Sequence, residues 1–297
     1  MKHVFIINPV AGFENSFNKL SKALSAYKDK YDITIHVTSS IKDATTYSKE
    51  YVLANPDEEV RFYSCGGDGT LSEIANGIAL CKNASLTCYP CGSGNDFVKS
   101  VGGQDKYLDL EKLFNAKSRK IDLIKVNDVY SLNVTNVGLE TRVAKVANSL
   151  KGKTKHPYTW GIVNALFTGM KHNLKVVVDG EDIHPNGNLL LASFSNGGFA
   201  GGKYNCAPRY VLDDGFMEVC HVKPVSVFTL LRLIKKYEKG MHLDDKSFEK
   251  FVTYRRAKKV EITSSKPFDI CVDGEIFTSE KFVLETIENA INFAIPE

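Results

Sequence analysis

The apolar residues change rhythm along the chain, and the change divides it in two. In the first part, short apolar runs alternate with apolar residues at helical spacing. Val4 to Ile7 is a continuous apolar run, as in a strand covered on both faces. Phe17, Leu20, Leu24 and Tyr27 recur at helical intervals and predict an amphipathic helix over 16–27. Ile33, Ile35 and Val37 alternate as a strand, and Ala44, Tyr47 and Tyr51 predict the next helix. A strand over 60–63, a helix carrying Leu71, Ile74, Ala75 and Ile78 on one face, and a strand over 86–89 follow. Leu110, Leu113 and Phe114 mark one more helix. Repeated β-α-β units predict a parallel sheet with helices on both faces.

From about Ile121 the rhythm is that of strands. Runs over 121–126, 131–137, 174–178, 189–194, 216–222, 259–263 and 268–272 are separated by turns such as Asp179-Gly180 and Asn186-Gly187. Helical inserts are expected over 143–150, 158–170 and 225–237. The expected organisation is an α/β domain over 1–124 and an antiparallel β domain over 125–290.

Ligands of parallel α/β sheets sit at the carboxyl ends of the strands. Asn8, Thr38, Gly66 to Gly69 and Ser93 all fall at such ends, so they can converge on one site. Cys65-Gly66-Gly67-Asp68-Gly69-Thr70-Leu71 lies between a strand and a helix, the architecture of a phosphate cradle. Its glycines let backbone N–H groups approach anionic oxygens, and the helix N-terminus adds partial positive charge. Asp68 beside phosphates makes sense when a divalent cation neutralises both. A plain glycine-rich turn would account for the stretch taken alone. Gly92-Ser93-Gly94-Asn95-Asp96-Phe97 is a second glycine turn opening a helix, where Asn95 or Asp96 can serve as N-cap.

Composition narrows the classes. With 297 residues, 43% hydrophobic and 25% charged, the chain is globular and long for one core. A net charge of +3 is too mild to argue for nucleic acid, yet it suits an anionic substrate or membrane surface. No apolar run reaches the length of a membrane-spanning helix, and none behind Met1–Ile7 suggests an export signal. Seven scattered cysteines are expected to be reduced thiols of a cytoplasmic protein. Cys88-Tyr89-Pro90-Cys91 is a lone CxxC, with no second pair to complete a zinc site.

In the second half, Asn196-Gly197-Gly198 follows a strand directly. Val211-Leu212-Asp213-Asp214-Gly215-Phe216 places two acids in a tight turn, suited either to a hairpin or to a hard cation. Asp273-Gly274-Glu275 is a further acidic turn. Lysines 151, 153 and 155, and the group Arg232, Lys235, Lys236 and Lys239, form either solvated faces or surfaces for an anionic membrane.

Together, Asn8-Pro9-Val10-Ala11-Gly12, Gly66-Gly67-Asp68-Gly69-Thr70, Gly92 to Phe97, Asp213-Asp214-Gly215 and Asp273-Gly274-Glu275 resemble the diacylglycerol kinase catalytic-domain family. That family includes soluble bacterial lipid kinases and sphingosine kinases. The resemblance implies a nucleotide-binding α/β domain, a β-sandwich second domain that binds lipid, and ATP held between them. It also implies that residues 291–297 return to the first domain. By similarity, Asn8, Thr38, Gly66, Gly67, Asp68, Gly69, Thr70, Leu71, Ser72, Ser93, Asn95 and Asp96 would form the ATP site. Asp214 with the carbonyls of Val211 and Phe216 would hold a structural Mg²⁺. Glu275 would be the general base and Asp68 part of the catalytic metal network, although Asp68 as the base is the other reading. Ala11, Ser93 and Lys99 stand where the family often has serine, threonine and arginine, and Lys42 where it often has glycine. The expected activity is ATP-dependent phosphorylation of a membrane lipid such as diacylglycerol, by a cytoplasmic protein in peripheral contact with anionic membrane. Two rivals are an NAD kinase-like enzyme, which leaves the second glycine turn and Asp273-Gly274-Glu275 unexplained, and a non-catalytic nucleotide-binding regulator. The pattern names no particular lipid and no oligomeric state.

Overall fold

The computed structural model describes residues 1–12, 16–150, 153–154, 156–168, 170–183 and 187–297. It separates into two compact units, Met1–Leu123 with Glu288–Glu297, and Ile124–Ile287.

The first unit runs β1 (Lys2–Ile7), α1 (Ser16–Ser25), β2 (Ile33–Val37), α2 (Asp43–Ala54), β3 (Val60–Gly66), α3 (Asp68–Ile78), β4 (Ala84–Pro90), α4 (Asp96–Ser100) and α5 (Leu110–Phe114). The sheet order is β2-β1-β3-β4, every pair parallel, and the last chain segment joins β4 in parallel through Asn292 opposite Ser85. β3 is buried at every position, Arg61 and Ser64 included, as in a strand covered on both faces. Phe5 stacks on Tyr63 at 4.0 Å between ring centres, and Tyr31 on Phe114 at 4.1 Å. Buried Arg61 donates from Nη1 to the carbonyls of Leu113 and Phe114, both at 3.1 Å, which closes the C-terminus of α5.

Between β4 and α4, the 92–97 turn is anchored from below. Phe97 meets Phe293 edge-on at 5.1 Å, and the Thr87 hydroxyl donates to the Ala294 carbonyl at 2.8 Å. The returning C-terminal segment thereby fixes the strand end from which that turn springs.

The second unit holds most of β5 to β18: β5 (Lys117–Val126), β6 (Val129–Ser131), β7 (Val134–Gly138), α6 (Leu139–Leu150), α7 (Pro157–Thr168), β8 (His172–Asn173), β9 (Lys175–Val178), β10 (Glu181–Asp182), β11 (Asn188–Leu189), β12 (Leu191–Ser195), β13 (Phe199–Ala200), β14 (Tyr204–Asn205), β15 (Met217–Val222), α8 (Val227–Glu238), β16 (Val252–Ala257), β17 (Lys259–Val272) and β18 (Glu275–Ile295). β16-β15-β12-β7-β17-β18 are antiparallel neighbours. β17 serves two layers, because its register shifts between Thr263 and Phe268. The part before the shift pairs with β9, and the part after it with β7. The enclosed core includes Val137, Val176, Phe194, Val219, Ile262, Ile270 and Leu284. Outside it, Leu233 and Tyr237 of α8 join Cys206 and Phe248 in a smaller cluster.

Three expected elements differ. The strand expected over 131–137 is broken into β6 and β7, for a reason given below. The strands expected over 259–263 and 268–272 are one bulged strand. β16 and the long β18 were not expected at all, since charged and apolar residues alternate irregularly in both. The Asn186 of one expected turn, and Lys151 and Lys155 of the expected basic face, lie outside the described residues.

Candidate active site

The site begins where β3 ends. Gly67 is extended (φ −98°) and caps α3, whose first intrahelical bond is Leu71 N–H to the Gly67 carbonyl at 3.2 Å. The amides of Asp68, Gly69 and Thr70 precede that bond, so they are the donors a helix N-terminus offers to an anion. A Cβ on Gly69 would meet nothing within 4 Å among the described residues, so the turn is open on that side.

The second turn lies directly against the first. The amides of Cys91 and Gly92 both donate to the Gly66 carbonyl, at 2.8 and 3.2 Å. A Cβ on Gly92 would fall 2.5 Å from the Gly67 α-carbon and 2.9 Å from Asn95 Oδ1. Asn95 adopts φ 47° and ties the turn to itself: its Oδ1 accepts from Gly92 N–H at 3.1 Å, and its Nδ2 donates to the Gly92 carbonyl at 2.7 Å.

Asp68 joins the two turns. Its Oδ1 accepts from the backbone N–H of Asp96 at 2.6 Å and of Phe97 at 3.3 Å, so it caps α4 from another element. Lys99 donates to the Gly94 carbonyl at 3.0 Å and pairs with Asp96 Oδ1 at 2.6 Å. Lys99 stands where the family often has arginine, and its i,i+3 spacing from Asp96 is the sequence signal of this ion pair.

Two further strand ends meet the same edge. Asn8 donates its backbone N–H to the Cys65 carbonyl at 3.0 Å and its Nδ2 to Thr70 Oγ1 at 3.2 Å. Thr38 N–H donates to the Ile7 carbonyl at 2.9 Å. Leu71 is buried in the helix face, Ser72 is half-buried one residue on, and Ser93 is exposed at the tip of its turn. All of these belong to the first unit. A recess beneath the turns is lined by Ser64, Gly66, Asp68, Leu71, Cys88 and Asn95. Burial pushes the Cys65 and Cys88 thiols well up, which makes them poor nucleophiles and poor metal ligands.

The other candidate residues belong to the second unit. Asp273 and Gly274 have φ 46° and 95° and form the two-residue turn between β17 and β18. The Asp273 carboxylate accepts from Ser131 Oγ at 2.8 Å and from the amides of Leu132, Asn133 and Val134 at 2.7, 3.1 and 3.0 Å. Those amides are diverted from a ladder, which is why the chain between β6 and β7 is not strand. Burial pushes the Asp273 carboxyl up, and the four donors pull it back. Glu275, half-buried, opens β18 opposite Val272.

At the remaining turn, Asp214 Oδ1 accepts from Phe216 N–H at 3.1 Å, and its other oxygen pairs with Arg256. Arg256 also reaches Glu218 at 3.4 Å and lies 4.7 Å from the Phe216 ring centre. Burial raises the Glu218 carboxyl, which bonds the Tyr254 hydroxyl. A carboxylate beside backbone carbonyls is hard-cation chemistry, but a cation there would share Asp214 with a guanidinium. Among the described residues, no three His, Cys, Asp or Glu side chains gather as a metal site. A metal held through Asp68 or Asp214 would take its remaining donors from carbonyls, water or the ligand's own phosphates.

Known proteins place this architecture. Residues 2–126 match the diacylglycerol kinase catalytic domain, and residues 133–294 match the YegS C-terminal NAD kinase beta sandwich-like domain. The diacylglycerol kinase of Bacillus subtilis (strain 168) is 27% identical over 93% of this chain and 90% of its own. A protein of Pseudomonas syringae pv. syringae named "Probable lipid kinase YegS-like" is 29% identical over 91% of this chain and 86% of its own. A solved diacylglycerol kinase structure from Bacillus anthracis str. Sterne covers 100% of this chain and 97% of its own, with TM-score 0.72 at 22% identity, a likeness of fold. An α/β unit of parallel strands, a β-sandwich-like unit and these matches agree, and the chain belongs to the kinase family that joins a diacylglycerol kinase catalytic domain to a YegS-type C-terminal domain.

Proposed function

We propose that this protein transfers the γ-phosphoryl group of ATP to the hydroxyl of a membrane lipid such as diacylglycerol. The observation that carries the reading is the contact of two glycine turns at one sheet edge, with Asp68 clamped between them and the first amides of α3 beside the open face of Gly69. Phosphoryl transfer needs positioning and charge neutralisation more than covalent chemistry. Gly66 to Thr70 cradle the phosphates through backbone N–H groups, and Gly67 and Gly92 leave no side chain in the way. Asn8 holds Thr70, Thr38 lies on the adenosine side, and Ser72, Ser93, Asn95 and Asp96 complete the ATP site. Mg²⁺, when bound with ATP, supplies charge neutralisation at the phosphates, and Asp68 is the residue that would hold it. Glu275 accepts the proton of the lipid hydroxyl as that oxygen attacks. A second, structural Mg²⁺ would be held by Asp214 with the carbonyls of Val211 and Phe216.

The acceptor lies in a bilayer, so the protein works as a cytoplasmic visitor to an anionic membrane. No described helix is long and apolar enough to cross one. Incubation with γ-labelled ATP and either extracted lipid or NAD tests the proposal. Label in the organic phase supports it, label on NAD supports an NAD kinase-like enzyme, and no transfer supports a regulator.

A further inference from the structure

The helix α7 exposes an apolar face that the catalytic reading does not use. Its twelve residues, Pro-Tyr-Thr-Trp-Gly-Ile-Val-Asn-Ala-Leu-Phe-Thr, contain no charge. The rotation of the helix is fixed by close packing on α6: Gly161 and Ala165 are buried, and a Cβ on Gly161 would lie 2.6 Å from the Val143 carbonyl oxygen. Trp160, Val163 and Phe167, spaced three and four residues apart, therefore share the outward side. They are 57%, 39% and 87% exposed. An almost fully exposed phenylalanine in line with a tryptophan is costly in water unless something covers it.

The charge around this stripe selects the partner. Between Glu140 and Asp179 the chain carries six lysines and one arginine and neither aspartate nor glutamate. Among the described residues, exposed Lys153 and His156 precede α7 and exposed Lys171 follows it. An uncharged helix with an aromatic stripe between basic ends matches the interface of an anionic bilayer, where tryptophan sits at headgroup depth and lysine meets lipid phosphate. A protein partner would instead leave these cations needing acidic counterparts of fixed geometry.

We propose that α7 is a membrane-docking element that inserts Trp160, Val163 and Phe167 into the headgroup boundary of an anionic lipid surface. This rests on the lipid-kinase reading and locates the face by which the enzyme meets its acceptor. Docking adds apolar insertion to electrostatic attraction, so binding retains a component that salt does not remove.

Trp160 is the single tryptophan of the chain, so its emission reports the stripe directly. Vesicles of phosphatidylcholine mixed with phosphatidylglycerol should shift that emission to shorter wavelength, and brominated acyl chains should quench it. Phe167→Ser should reduce vesicle partitioning about tenfold, leave the melting temperature unchanged, and preserve turnover on dispersed short-chain diacylglycerol. Vesicles that sediment the protein without altering Trp160 emission would overturn the proposal, as would absence of sedimentation. Failure of the kinase reading reads out separately, as no turnover on the dispersed substrate whatever Trp160 does.

Discussion

At the scale of residues, Asp68 carries two demands that substitution can separate. As a clamp it supplies one acceptor oxygen to two amides of α4; in the proposed reaction its charge would also balance phosphates and metal. Asp68→Ala removes both and leaves those amides without their carboxylate, at a cost of about 1–3 kcal/mol. Asp68→Asn keeps an acceptor, so it should melt close to wild type while turnover collapses and its Mg²⁺ dependence shifts. Equal destabilisation by both variants would reduce Asp68 to a structural residue. Glu275→Gln should retain ATP affinity and lose turnover by roughly 10²–10⁴. Near wild-type turnover in that variant, beside an inactive Asp68→Asn with unchanged metal response, would transfer the base role to Asp68. The glycines separate in the same way. Gly92→Ala drives a methyl into the Gly67 backbone and should destabilise by about 1–3 kcal/mol. Gly69→Ala meets only open space and, being helical, should melt no lower than wild type while binding ATP more weakly. Thermal melts and ATP titrations of the pair check both.

At the scale of elements, what was legible followed from periodicity, and what was not followed from distant partners. Asn8, Thr38 and both glycine turns could be placed at strand ends because β-α-β alternation orders those ends. The capping of α4 by Asp68 could not be read, since 28 residues separate donor and acceptor. Nor could the break between β6 and β7, which is set by Asp273 some 140 residues later. Arg256, which reaches Asp214 across 42 residues, was equally invisible. That pair bears on the structural metal. Both side chains are partly exposed, so the ion pair itself contributes at most about 1 kcal/mol. If Mg²⁺ stabilises this turn, a chelator should lower the melting temperature of the wild type, and Asp214→Ala should lose stability and activity together with only weak rescue by excess Mg²⁺. An Asp214→Ala protein with unchanged melting and full activity would contradict a structural ion there.

At the scale of the whole molecule, each unit buries a neutral histidine, and acid should loosen both. Burial and the neighbouring Arg61 charge hold His3 at about 4, and burial holds His242 at about 4, below the 6.5 of a free side chain. Between these values the unfolded chain binds more protons than the folded one, so stability is full above about pH 6.5 and declines as pH falls toward 4. Each histidine contributes up to about 3 kcal/mol to that decline. Melting curves from pH 7.5 to 4.5 should show it, and a His3→Gln, His242→Gln protein should show a shallower one; parallel profiles would mean that carboxylates dominate. The central claim concerns where the phosphoryl group goes. It is tested most directly by incubating the protein with Mg²⁺, ATP bearing ¹⁸O in its γ-phosphoryl group, and diacylglycerol in anionic vesicles, then weighing the products by mass spectrometry. The account predicts phosphatidic acid carrying the heavy oxygens, formed roughly 10²–10⁴-fold more slowly when Glu275→Gln replaces wild type. Heavy oxygen confined to free phosphate, or to phosphorylated NAD when that is supplied, would contradict it.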